Sequence, residues 1–147
     1  MGDSGVAELN PVDVAVADRR VRLVCLGLAC CAVEAAEAVA SLPRAAPTAG
    51  DADVHVLVVA GTVTHALLPT VRAAWQALPE PRAAVAFGAC TISGGPYWDS
   101  YAVVPGLREH LPEAVDVAGC PPRPDVLADA VALAVAGAIA GDGPVPT

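Results

Sequence analysis

Val21-Arg22-Leu23-Val24-Cys25-Leu26-Gly27-Leu28-Ala29-Cys30-Cys31-Ala32-Val33-Glu34 reads as a strand that ends at a glycine and hands over to a helix. Residues 21–26 are apolar except for Arg22, the pattern of a strand covered on both faces. Residues 31–42 are Ala-rich, place Glu34 and Glu37 three apart and meet Pro43 just beyond, as a helix with a hard stop should. Between the two stand adjacent cysteines. A disulfide between sequence neighbours needs a strained eight-membered ring, far from the geometry of a relaxed bridge. Two adjacent thiolates can nonetheless reach one polynuclear metal cluster.

The same strand-to-turn plan recurs downstream. Val-His-Val-Leu-Val-Val-Ala at 54–60 predicts a second strand, residues 83–87 a third and residues 115–117 a short fourth. Helices are predicted over 65–78, with Thr62 or Thr64 as cap and Pro69 tolerable only near the first turn, and from Pro124 or Asp125 to about Ala140. Residues 43–53 and 93–101 read as loops, and the second holds both tyrosines and one of the two tryptophans, which suggests a lid or a partner-facing surface. Strands alternate with helices throughout. The expected fold is therefore α/β: a single domain with a doubly wound, mainly parallel, flavodoxin-like sheet. Its expected limits are 19–141, with a loose, acidic arm over 1–18 and a tail over 142–147.

Two further cysteines fall just past probable strand ends. Cys90 follows the third strand after Gly88-Ala89, and Cys120 follows the fourth after Gly119. In an open parallel sheet, ligands bind in the crevice at the carboxyl ends of the strands, where such residues converge. The fifth cysteine, Cys25, lies inside the first apolar run and reads as a small buried hydrophobe.

At 147 residues the chain is long enough to bury a real core, built from Ala, Val and Leu because aromatics make up only 3%. Its formal net charge is -8, and all eight basic residues are Arg. That balance argues against nucleic acid, which needs clustered positive charge. Arg19-Arg20 before an apolar run superficially resembles a twin-arginine or lipoprotein signal, but Arg22 interrupts the run and Gly27 stands where a lipoprotein site at Cys30 would want a large aliphatic residue. No stretch reaches the roughly 18 to 20 apolar residues of a spanning helix, so membrane contact is expected only through partners.

Spacing leaves two readings of Cys30, Cys31, Cys90 and Cys120: buried small hydrophobes, or ligands of one metal–thiolate site. Cysteines beside Gly and Pro in turn-like segments are poorly placed for core duty, which favours the second. Zinc prefers Cys-x2-Cys knuckles, absent here, whereas an iron–sulfur cube accepts thiolates from scattered loops. An odd number of cysteines also fits a reducing compartment better than a disulfide framework.

Gly-Leu-Ala-Cys-Cys-Ala-Val-Glu at 27–34, Val-Ala-Gly-Thr-Val-Thr at 59–64, Gly-Ala-Cys-Thr-Ile-Ser-Gly-Gly at 88–95, Ser-Tyr-Ala-Val-Val at 100–104 and Gly-Cys-Pro-Pro-Arg-Pro at 119–124 together resemble the B subunit of NADH-quinone oxidoreductase, respiratory complex I. The blocks occur in that family's order over about 21–140. The resemblance implies that Cys30, Cys31, Cys90 and Cys120 ligate one 4Fe-4S cluster. It further implies a subunit that passes electrons to quinone at the junction with a partner subunit and sits peripherally on the cytoplasmic face of the cell membrane. Gly94 and Gly95 would let backbone approach the cluster, and their N–H groups would donate to sulfur. Arg123 would offset cluster charge or stand as a solvated loop arginine, and Glu34 would join a proton network or serve the helix dipole. His55 and His65 read as structural, and Tyr97 and Tyr101 as interface residues.

The small subunits of nickel-iron hydrogenases are similar in fold and later cysteines but begin with Cys-x2-Cys, so such a subunit is the first alternative. A cluster-free structural or assembly protein of the same fold is the second. Departures from the family pattern concern the quinone side. The segment between Glu34 and residue 54 is short and lacks the family's Arg-Phe-Gly stretch, the tryptophan-containing lead-in to the tandem cysteines is missing, and Ala66 stands where a Lys is usual.

Overall fold

Every residue of Val54–Ala60 is buried, and this strand is the spine of the molecule. In the computed structural model, which describes residues 7–8, 11–16, 18–28, 31–45, 52–111, 114–120 and 122–140, it is the fourth of six strands. These are β1 (Ala7–Glu8), β2 (Val12–Val16), β3 (Arg19–Gly27), β4 (Val54–Ala60), β5 (Arg82–Phe87) and β6 (Val115–Val117). β3, β4, β5 and β6 lie side by side in that order, all parallel, while β1 and β2 both pair antiparallel with β3 on its other edge. The helices are α1 (Cys31–Ser41), α2 (Leu68–Ala77), α3 (Ala89–Ser93) and α4 (Leu127–Ala140).

Strand alternation sends successive side chains to opposite faces, and both faces are covered. Val54, Val56, Val58 and Ala60 join Leu23, Val85 and Phe87 in a core closed by Ala35, Ala38 and Val39 of α1 and Leu127, Val131 and Val135 of α4. Leu57 and Val59 face the other way, with Ala84, Ala86, Val71 of α2, and Val104, Leu107 and Leu111 from the connection between β5 and β6. Each buried Val or Leu side chain contributes about 1.5–3 kcal/mol relative to exposure. The α/β, mainly parallel sheet with helices on both faces is as expected, and all four predicted strands are present.

The expected loose arm over 1–18 is corrected where it is described, at 7–8 and 12–16; residues 1–6, 9–10 and 17, like the expected tail over 142–147, lie outside the described residues. Val12–Val16 is a strand whose Val14 and Val16 are buried against the α1/α4 core, and β1 adds a second short pairing. Asp13 on its other face explains why the segment tolerates an acid. It accepts Arg20 Nη2 at 2.6 Å and Arg22 Nε at 2.8 Å, the two guanidinium groups converging on one carboxylate. Arg20 of the signal-like pair, and Arg22 that interrupts the run after it, are thus the ion-pair partners of Asp13. Hydrogen bonding by Arg22 first, opposed by desolvation and reinforced by Arg20, lowers the Asp13 pKa to about 2.

Between α1 and β4 the described residues 42–45 form no strand of the parallel sheet. They run along the outer side of β2, where Arg44 bridges Val14, Ala15 N donates to Pro43 O and Ala45 N to Asp13 O. The predicted helix over 65–78 starts only at Leu68. The hydroxyl and carbonyl of Thr64 both accept the Leu67 N–H, holding residues 65–67 in a turn and leaving Pro69 in the first helical turn, where its missing N–H costs nothing. α4 likewise begins at Leu127, after a 3-10 turn over Pro124–Val126. Residues 89–93, expected to be turn-like, form the short helix α3, and the aromatic loop opens with a 3-10 turn over Gly95–Tyr97.

Candidate metal centre

Three backbone ties gather the cysteine-bearing segments at the carboxyl end of the sheet. Leu28 N donates to Ala60 O, joining the exit of β3 to that of β4. Gly88 N donates to Val117 O and Ala89 N to Gly119 O, each at 2.8 Å, so the exits of β5 and β6 run together and bring Cys90 near the Cys120 segment. Between these pairs, Thr91 Oγ1 accepts Gly61 N at 2.9 Å and donates to Gly61 O at 2.7 Å, joining the exit of β4 to α3. Nothing in the sequence marks Thr91 for this task, because its hydroxyl is buried only once α3 forms.

Cys31 is the first residue of α1 and is 1% exposed; Cys90 is the second of α3 and is 3% exposed. Cys120 is exposed. Cys30, the fourth expected ligand, lies outside the described residues. Two glycines make room for the buried thiols. A Cβ on Gly88, where φ is +110°, would stand 2.7 Å from Cys31 Sγ, and a Cβ on Gly95, where φ is +55°, would stand 2.9 Å from Cys90 Sγ. Both contacts are closer than any side chain tolerates, and both backbones occupy regions that L-residues rarely visit.

Among the described residues no group of three or more His, Cys, Asp or Glu side chains closes around a point that would hold a metal ion. A 4Fe-4S cube makes a different demand, since its four thiolates are shared among several irons. The donor chemistry is compatible with it: Cys31 and Cys90 are buried thiols on the segments that follow β3 and β5, on either side of β4, and Gly88 and Gly95 leave their sulfurs room.

Several expected neighbours stand elsewhere. Gly94 N–H donates to Cys90 O, closing α3, and so is not directed at sulfur. Arg123 is an exposed loop arginine forked onto Asp125, with Nε to Oδ1 at 3.1 Å and Nη2 to Oδ2 at 2.5 Å. Glu34 lies in the first turn of α1, its Oε2 buried and without a hydrogen-bond partner among the described residues. His55 is buried in β4, and His65 is exposed. Cys25 is buried, and desolvation raises its pKa to about 11, so it is a core thiol. Tyr97, Trp98 and Tyr101 are all exposed, Tyr101 at 96%, on the connection that leaves α3.

The class is an α/β domain with a mainly parallel sheet, with Cys31, Cys90 and Cys120 on the segments that leave β3, β5 and β6 at its carboxyl edge. The chain belongs to the family described as NADH ubiquinone oxidoreductase, 20 Kd subunit, whose profile matches residues 23–134. It is 43% identical over 109 residues to the second B subunit of NADH-quinone oxidoreductase from Streptomyces griseus, covering 69% of this chain and 46% of that one. It is 41% identical over 111 residues to the B subunit of NADH-quinone oxidoreductase from Heliobacterium modesticaldum, covering 70% and 62%. The chain therefore spans roughly half to two thirds of the length of these relatives. A chain in the structure of the membrane-bound sulfane sulfur reductase, an archaeal respiratory membrane complex, superposes with a TM-score of 0.53 at 30% identity, over 69% of this chain and 55% of that one. Among the described residues no helix is long and apolar enough to cross a membrane.

Proposed function

We propose that the chain is the iron–sulfur electron-transfer subunit of an NADH-quinone oxidoreductase-type complex, holding one 4Fe-4S cluster on Cys30, Cys31, Cys90 and Cys120 and passing electrons to quinone at a subunit interface. The observation that carries this reading is the pairing of two buried thiols, Cys31 and Cys90, with the side-chain-free positions Gly88 and Gly95. When bound, the cluster would supply reversible one-electron transfer. The chain's own part is to hold and insulate. Cys31 and Cys90 present sulfur from two helix starts, backbone ties and the Thr91 hydroxyl join the strand exits that carry them, and the apolar layers on both sheet faces exclude water from below the site. Cys120, on the exposed side, completes the ligand set where a partner would cover it.

Activity belongs to the assembled complex, whose other subunits are the partners, and contact with the cytoplasmic face of the cell membrane is made through them. The exposed Tyr97, Trp98 and Tyr101 lie on the connection that leaves α3 and form part of the surface presented to those partners. The short passage between residues 34 and 54 lacks the Arg-Phe-Gly stretch of the family pattern, which spares the cluster ligands and weakens the quinone side.

Anaerobic purification with iron and sulfide counting, and EPR after dithionite reduction, tests the reading on the wild type and Cys31→Ser. About four irons and four sulfides per chain, with a spectrum changed by the substitution, is the expected result. A chain without iron after anaerobic reconstitution would overturn it.

A further inference from the structure

The geometry points to Thr91 as a positioning residue that sets where Cys90 stands relative to the tandem cysteine loop. The inference rests on the cluster reading above but concerns the chain's own hydrogen bonding. α3 spans five residues, too few to hold itself together, so its placement depends on what it is tied to. On the β6 side the tie is through backbone, Gly88 N to Val117 O and Ala89 N to Gly119 O, one residue before Cys120. On the β4 side it is through a side chain. The Thr91 hydroxyl, in a residue 1% exposed, accepts from Gly61 N and donates to Gly61 O, with Phe87 O at 3.3 Å as a weaker second acceptor.

The reciprocal pair imitates one rung of sheet pairing beyond the point where β4 and β5 have separated. Gly61 follows Ala60, whose carbonyl holds Leu28 N two residues before Cys30. The path from Cys90 to the tandem cysteines thus runs Cys90, Thr91, Gly61, Ala60, Leu28, and Thr91 is the link in it made by a side chain. Without the hydroxyl, Cys90 stays coupled to the Cys120 segment by backbone, while toward Cys31 it keeps the β3–β4–β5 ladder, which ends at Gly27, Ala60 and Phe87, and the packing at Gly88, but loses the tie from α3 to Gly61. A valine at 91 would match the shape and leave both polar groups of Gly61 buried and unpaired, and a serine would restore the bonds.

The test compares wild type, Thr91→Val, Thr91→Ser and, as a stability control remote from the site, Val131→Ala in α4. In the cluster-loaded chain the readouts are the EPR line shape and midpoint potential at full iron content. In the iron-free chain the readout is the alkylation rate of Cys90 relative to Cys25, by mass spectrometry. Thr91→Val is expected to change the spectrum and potential and to raise Cys90 alkylation on the order of tenfold, the factor that losing one buried pairing implies, with Thr91→Ser near wild type. Val131→Ala should lower thermal stability and move neither. Wild-type spectra and alkylation in Thr91→Val would overturn the inference. If no variant takes up iron, the cluster reading fails while the alkylation arm still decides the role of Thr91. Should Thr91→Val fail to fold, amide exchange at Gly61 in the wild type decides it: slow exchange is expected, and exchange at the rate of open loops would refute the clamp.

Discussion

The sulfur of Cys31 stands against Gly88 so closely that a Cβ there would lie 2.7 Å from the thiol, and a side chain at position 88 would have to displace it. Gly88 also has φ of +110°, so a side chain there is strained before it meets anything. Gly88→Ala should cost about 1–3 kcal/mol in backbone strain and turn Cys31 out of its seat. The expected outcome is a lower melting temperature together with fewer irons per chain. Full iron content and an unchanged EPR spectrum would show that Cys31 does not need this space.

Asp13 binds two guanidinium groups across the β2–β3 hairpin, and its folded pKa of about 2 lies below its ordinary 3.8. An acid held below its unfolded value favours the fold while ionised. That contribution is complete above pH 3.8 and fades as pH falls toward 2. Asp13→Asn should destabilise the chain by about 1 kcal/mol at neutral pH, with the difference from wild type shrinking below pH 4 in urea titrations. A difference that stays constant from pH 7 to pH 2 would contradict this account.

The Cys25 thiol behaves oppositely. Its folded pKa of about 11 exceeds its ordinary 9.0 because burial disfavours the thiolate. The unfolded chain therefore loses this proton first, and stability drops by about 2–3 kcal/mol between pH 9 and 11. Cys25→Ala should remove that part of the alkaline loss and leave iron content untouched. Loss of iron in that variant would instead bring Cys25 into the site.

Tyr97, Trp98 and Tyr101 contribute little to the fold, being exposed. The double substitution Trp98→Ser with Tyr101→Ser should shift stability by no more than about 0.5 kcal/mol. Exposed aromatics that anchor a partner carry much of its binding energy, so co-purification with the other subunits of the complex should fall about tenfold or more. Unchanged recovery of the complex would place the interface elsewhere.

The parallel strands were legible because each is an apolar run bounded by Gly or Pro, and β4 coincides with its expected limits. The glycine-flanked cysteines were legible by type and place: Cys31 opens the expected helix, whereas Cys90 lies in the short helix α3 where a turn was expected. β2 was hidden because its two-residue alternation, Val-Asp-Val-Ala-Val, is short and sits in an acidic stretch. Only the long-range placement of Arg20 and Arg22 shows why Asp13 belongs in a strand. Thr91 was illegible for a related reason, since its partner Gly61 is thirty residues away and is met only across the sheet.

Among the described residues, the β2–β3 hairpin is the one strand pairing of any length that closes through a short turn, at Asp18, whereas each parallel pairing waits for a crossover to be completed. Hairpins close in about 1–10 μs, far sooner than contacts that enclose long loops. In the folded chain this ribbon presents the edge of β3 on which β4 pairs, from Val21 with Val54 to Gly27 with Ala60, so the antiparallel ribbon borders the whole length of the first parallel pairing.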